Sequence, residues 1–229
     1  VMVATGVNTD GYREVLGVSC STSESHARWL TFFKDLVARG LNGVALVTSD
    51  AHTGLVEAIG ATLPGASWQR CRTHYTANLM SICPKHAWPA VKAWQHSVFE
   101  QADPDAVHAQ YDRLLAEVDR NKLPAVHDHL EQAREEVLAF TAFPQGVWRQ
   151  IWSNNLNERL NKEIRRRTDV VGIFPTHEAI IRLVGAVLSE QHDEWAEGRR
   201  YLGLELLKKA RLTLIPGTTD KEEPAELTA

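Results

Sequence analysis

LNGVALVTSDAHTGL, residues 41–55, runs from an apolar stretch into a single carboxylate, Asp50, and then at once into helix-forming residues. The run VALVT is the pattern of a strand covered on both faces. A strand followed directly by a helix is an α/β unit. In such units the side chain at the carboxyl end of the strand projects into the crevice where ligands bind. Asp50 therefore has two readings: a cap for a helix beginning near Ala51, or a ligand for a divalent cation beside phosphate.

Upstream, VMVATGV and YREVLGVSC flank NTDG, and the Asp10-Gly11 pair makes this a β-hairpin. Ser21 and Glu24 have capping-box spacing ahead of SHARWLTFFKDLVAR, which reads as a helix ending at Gly40. Downstream, a helix is expected to about Leu63, closed by Pro64-Gly65, and ASWQR reads as a short strand. From His74 to Phe143 strand signals vanish, and helical patterns are punctuated at Pro84, Pro104, Pro124 and Pro144. SNNLNERLNKEIRRR then reads as a helix capped by Ser153, Asn154 or Asn155, and another helix is expected after Thr176. Strands and helices, a helical insert, then helices again make an α/β core interrupted by a helical insertion.

The 229 residues are 44% hydrophobic and 24% charged, the balance of a globular protein. No apolar run approaches membrane-spanning length, and no basic-then-apolar leader is visible. Three cysteines are too few for a disulfide framework, which points to a reducing compartment. The net charge of −4 hides a polarity: residues 100–136 carry ten acids and four bases, whereas residues 159–167 carry five bases and one acid. A phosphate meets the local field, not the mean.

From Asp50 to His74 the chain carries Asp50, Gly54, Leu55, Thr62, Leu63, Pro64, Ala66, Gln69, Cys71 and His74 in a pattern that resembles the signature of Mutator-type transposases, which include many bacterial insertion-sequence transposases. Residues NNLNERLNKEIRRR look like that family's third catalytic block, with Glu158 followed seven positions on by Arg165. The resemblance covers nearly the whole chain. It implies a ribonuclease-H-like fold with an Asp-Asp-Glu triad and a helical insertion between the second Asp and the Glu. The expected division is 1–73 as the first part of the core, 74–143 as the insertion, 144–211 as the rest of the core and 212–229 as a flexible tail. Asp50 would be the second Asp and Glu158 the Glu, both catalytic and both ligands of magnesium or manganese. Such acids hold two ions that activate a nucleophile and stabilise the leaving oxygen at phosphorus.

The resemblance also implies DNA as partner, at transposon ends and target. It implies a homodimer or higher assembly when active, and a bacterial cytoplasmic location at the nucleoid. The first Asp of the family would lie ahead of VATGVNTDGYREVLGV, and no Asp precedes it here; Asp10 sits in the turn. The expectation is an amino-terminally truncated transposase unable to cut DNA efficiently alone. Two rival readings are an inactive remnant serving as a DNA-binding or assembly module, and another ribonuclease-H-like nuclease, which would not share the Asp50-to-His74 signature.

Cys71-x-x-His74 recurs as Cys83-x-x-His86, the ligand types of a zinc site, but the spacing is short for a finger and Pro84 interrupts the second pair. Structural zinc is therefore disfavoured. Cys71 and His74 are expected beside the active site, with Arg165 as a supporting residue. Arg159, Lys162, Arg165, Arg166 and Arg167 fall at helical spacing suited to DNA phosphates, or else form a solvated face. Of seven tryptophans, Trp88, Trp94, Trp148 and Trp152 surround the insert. Most are expected in its core, with stacking on a flipped base as the lesser alternative.

Overall fold

The computed structural model describes residues 1–21 and 25–212. It is a mixed α/β chain, mostly helical, with two small sheets. Strands β1 (Met2–Val7) and β2 (Arg13–Ser19) form an antiparallel hairpin. Gly11 turns it with φ +83°, and its carbonyl accepts from Tyr201 and Leu202 N–H groups at 2.8 and 3.1 Å. Pairing steps from Ala4–Gly17 to Thr5–Val15, which leaves Leu16 as an extra residue. That bulge lets Val15 and Val18, three positions apart, reach one hydrophobic cluster while Leu16 reaches another.

Helix α1 (His26–Ala38) has Ser25 as its N-cap, not Ser21; Glu24, the partner of Ser21 in the expected capping box, lies outside the described residues. Strand β3 (Leu46–Ser49) pairs in parallel with β4 (Ser67–Arg70), and α2 (Thr53–Thr62) crosses between them. β3 is half-buried rather than covered on both faces, and α2 begins at Thr53 with His52 as N-cap, not at Ala51. α1 and α2 pack closely: a Cβ on Gly54 would stand 2.8 Å from His26 N and 2.9 Å from its Cα.

Four helices come next: α3 (Arg72–Ile82), α4 (Trp88–Val98), α5 (Pro104–Arg120) and α6 (Pro124–Leu138). Pro104 and Pro124 open helices, where a missing N–H costs nothing. Their shared core contains Tyr75, Tyr111, Leu130, Phe140 and Trp148, with Trp94 and Trp152 against it, while Trp88 is 40% exposed. Gln69, fully buried on β4, anchors this layer: its amide donates to Val137 O at 2.9 Å and accepts from Phe140 N–H at 2.7 Å.

A short helix α7 (Trp148–Ile151) leads into α8 (Asn155–Val171), α9 (His177–Glu197) and α10 (Leu204–Leu212). Thr176 caps α9, its hydroxyl accepting from Ala179 N–H at 3.2 Å. α8 and α9 cover the face of the hairpin bearing Val3, Val15 and Val18, and α1 and α2 cover the face bearing Met2 and Leu16. α10 packs with Phe143 and Val147 near Leu46. Among the described residues no helix is long and apolar enough to cross a membrane.

Candidate functional site

The parallel pair places its two carboxyl ends side by side. Ser49 pairs with Arg70, so the next residues, Asp50 and Cys71, leave adjacent strands together. Cys71 N–H donates to Ser49 O at 2.6 Å and prolongs the ladder by one bond. Asp50 is exposed, and among the described residues its carboxylate has no hydrogen-bond or ion-pair partner. It does not cap α2.

Cys71 is the N-cap of α3 and is fully buried. His74 lies one helical turn on. Glu158 lies in the first turn of α8, where the helix dipole favours a negative charge. Three bonds pin these helix starts together: Cys71 Sγ to Asn154 Oδ1 at 2.8 Å, Arg72 N–H to Trp152 O at 2.8 Å, and Thr73 Oγ1 to Asn155 Oδ1 at 2.8 Å. A fourth, Thr5 Oγ1 to Asn157 Oδ1 at 2.7 Å, ties α8 to β1.

As a result His74 Nε2 stands 3.7 Å from Glu158 Oε1. One ligand atom each from Cys71, His74 and Glu158 lie within 4.8 Å of one another. Glu158 Oε1 and His74 Nδ1 are buried atoms without hydrogen-bond partners. A buried polar atom left without a partner is costly. Cys83 and His86 do not join this cluster; Cys83 is buried beside Pro84 O, where α3 has ended.

Arg72 was not singled out from the sequence. Its guanidinium lies 4.4 Å from the Phe99 ring centroid and 5.0 Å from that of Trp152, and burial lowers its pKa against the raising effect of Glu100. Arg72 is adjacent to Cys71 in sequence, and its guanidinium is held against these two rings. Asn154 was considered only as a cap, and it makes no side-chain cap bond; it serves Cys71 instead.

The basic stretch of α8 divides in two. Arg166 donates to Glu163 at 2.7 and 2.8 Å, and Arg167 is held by Glu163 and, on α9, by Glu190. Arg159, Lys162 and Arg165 are exposed and have no acidic partner among the described residues. Arg165 therefore belongs to the free cations of α8.

Comparison with known proteins bears on this site. The family model described as "Transposase, Mutator family" matches residues 1–198. The chain is 65% identical over 225 residues to the transposase for insertion sequence element IS1081 of Mycobacterium tuberculosis, covering 98% of this chain and 53% of that protein. It is 38% identical over 210 residues to the transposase for ISRM5 of Rhizobium meliloti, covering 91% of this chain and 52% of that protein. It is 36% identical over 206 residues to the transposase for IS256 in transposon Tn4001 of Staphylococcus aureus, covering 89% and 52%. The chain thus spans about half the length of the curated relatives it matches.

Proposed function

Because this chain belongs to the Mutator family of transposases, we propose that it is the catalytic portion of an insertion-sequence transposase, which cleaves and joins DNA strands at transposon ends. The observation that supports the reading is the cluster of Cys71, His74 and Glu158 at the starts of α3 and α8; Asp50, which is not one of the clustered residues, leaves the strand end adjacent to Cys71.

Asp50 and Glu158 are the two acids that this chain supplies to an Asp-Asp-Glu site. The fit to a hard cation rests on two carboxylates without competing hydrogen bonds, one of them with a buried, unpartnered oxygen. Asp50 and Glu158 would hold a magnesium or manganese ion, which would supply Lewis-acid activation of an attacking oxygen and stabilisation of a leaving one. The chain's own residues do the rest. His74 orients the Glu158 carboxylate. Arg159, Lys162 and Arg165 hold the DNA backbone without reading bases, and Arg166 and Arg167 brace α8.

A ribonuclease-H-like core is part of this reading. Among the described residues β1 pairs only with β2 and β3 only with β4, so each keeps an unpaired edge. Joining two DNA ends calls for a homodimer or larger assembly.

The test replaces the matching half of the Mycobacterium tuberculosis relative with this chain and measures strand transfer in Mg²⁺ on DNA carrying the element's ends. Activity lost in both Asp50→Asn and Glu158→Gln supports the assignment. Activity retained in either variant removes that residue from the catalytic set, and an inactive but DNA-binding chimera favours an assembly module.

A further inference from the structure

We propose that Cys71, His74 and Glu158 form a binding site for one thiophilic divalent cation of the zinc class, distinct in chemistry from the magnesium position that Asp50 shares with Glu158. Three protein ligands, one sulfur, one imidazole nitrogen and one carboxylate oxygen, are the donor set of an open zinc site with its fourth position left to solvent. A hard ion such as magnesium prefers oxygen and does not seek a thiolate.

The geometry is near to closure. The three ligand atoms lie within 4.8 Å of one another. In a tetrahedral zinc site, bonds of about 2.0–2.3 Å put neighbouring ligand atoms about 3.3–3.8 Å apart. His74 Nε2 and Glu158 Oε1, 3.7 Å apart, already have that spacing, so the remaining adjustment is toward the Cys71 sulfur. The His74 and Glu158 side chains are 41% and 37% exposed, so an ion can enter and a water can complete the shell.

The surroundings prepare the sulfur. In the free protein the Cys71 thiol donates to Asn154 Oδ1. When the ion binds, the thiol proton leaves to solvent, and Asn154 turns its amide to present NH₂ in place of oxygen. The Asn154 backbone N–H, already 3.5 Å from Sγ, is a second donor to the thiolate. Glu158 Oε1 and His74 Nδ1, both buried without partners, gain one directly or through the bound water.

The site has a consequence that rests on the catalytic reading of Glu158. Glu158 is a ligand in both readings, so zinc bound with Cys71 and His74 would compete with magnesium for that carboxylate and strand transfer should fall as zinc is added.

The binding itself is tested without activity. Metal-free chain is titrated with Co²⁺, and the thiolate-to-cobalt charge-transfer band and tetrahedral d–d bands are recorded, followed by displacement with Zn²⁺. The expected result is one equivalent of cobalt, displaced by zinc and not by magnesium. The charge-transfer band should be lost in Cys71→Ser, and affinity weakened at least about tenfold in His74→Ala and Glu158→Gln. Cys20→Ser and Cys83→Ser should bind as the parent does. Circular dichroism of every variant reports folding, and the His74 and Glu158 variants keep the test valid if Cys71→Ser misfolds. Absence of the band in the folded parent, or its persistence in folded Cys71→Ser, overturns the proposal. Cobalt binding as expected, together with strand transfer that survives Glu158→Gln, leaves the cation site standing and removes only the catalytic reading.

Discussion

The Cys71 thiol donates a 2.8 Å hydrogen bond to Asn154 Oδ1 across the whole helical segment that separates them in sequence. Cys71 ends the parallel pair, and Asn154 precedes the helix that carries Glu158. This bond and its neighbours, Arg72 N–H to Trp152 O and Thr73 Oγ1 to Asn155 Oδ1, set where Glu158 stands relative to His74.

Asn154→Ala removes the acceptor of a buried thiol and no cap bond, since the side chain makes none. A neutral buried hydrogen bond contributes about 1 kcal/mol, and an orphaned partner adds to the loss. Unfolding in urea should show about 1–2 kcal/mol lost in Asn154→Ala. The double variant Cys71→Ala/Asn154→Ala should lose less than the two single losses added together. Strict additivity would mean that the bond carries no coupling.

Gly54→Ala should destabilise the chain although alanine favours a helix by about 1 kcal/mol. The new Cβ would lie 2.8–2.9 Å from backbone atoms of His26, which cannot swing aside as a side-chain tip can. Overpacking of this kind costs about 1–3 kcal/mol, so the thermal midpoint should fall. A midpoint that rises would show that α1 shifts away freely.

Much of this was legible where the signal is local. Asp10-Gly11 announces the hairpin, Pro104 and Pro124 mark breaks in the helical pattern that the structure makes helix starts, and Thr176 announces α9. The strand-end position of Asp50 follows from an apolar run meeting a helix. Long-range closure left no such trace. The Cys71–Asn154 bond, the Gln69 clamp on Val137 and Phe140, and α10 against Phe143 and Val147 depend on how distant segments meet. The repeated Cys-x-x-His spacing carries its own warning in Pro84: α3 ends at Ile82, so the second pair does not follow the first along one helix. The basic stretch of α8 was read as one face, yet Glu163 lies three and four residues before Arg166 and Arg167 and takes both.

That pairing predicts how DNA affinity responds to charge. Replacing Arg159, Lys162 and Arg165 together by Ala should weaken binding to duplex DNA. It should also flatten the dependence of log K on log salt by about 0.9 for each lost phosphate contact. Arg166→Ala alone should change little, because its charge is already answered by Glu163. Fluorescence anisotropy across a salt series measures both. An Arg166→Ala effect equal to that of Arg165→Ala would reject the division.

Glu163 itself should titrate far below an ordinary carboxylate. Hydrogen bonds from Arg166 and then Arg167 hold its pKa down to about 2, against an ordinary 4.5. A depressed acid contributes stability that is present above the ordinary value and is lost as pH falls toward about 2. Side-chain NMR shifts of Glu163 should move only at the acid end. Arg166→Ala should carry the midpoint back toward 4.5. A midpoint near 4.5 in the parent protein would show that the ion pairs do not persist in solution.

His129 sets a second pH dependence, of the opposite residue type but the same direction. Its ring stacks on Tyr75 with centroids 5.2 Å apart, and its Nε2 is buried without a partner. Burial foremost, and then the nearby Arg70 guanidinium, push its pKa below the ordinary 6.5. The folded protein therefore resists a proton that the unfolded chain accepts. Stability from this group is full above 6.5 and falls as pH drops from there toward the lower folded value. Urea unfolding between about pH 8 and pH 5.5 should show that decline. His129→Phe keeps a stacking ring and has nothing to protonate, so its stability should fall less over the same interval. Parallel curves for the two proteins would show that His129 is protonated freely in the folded state.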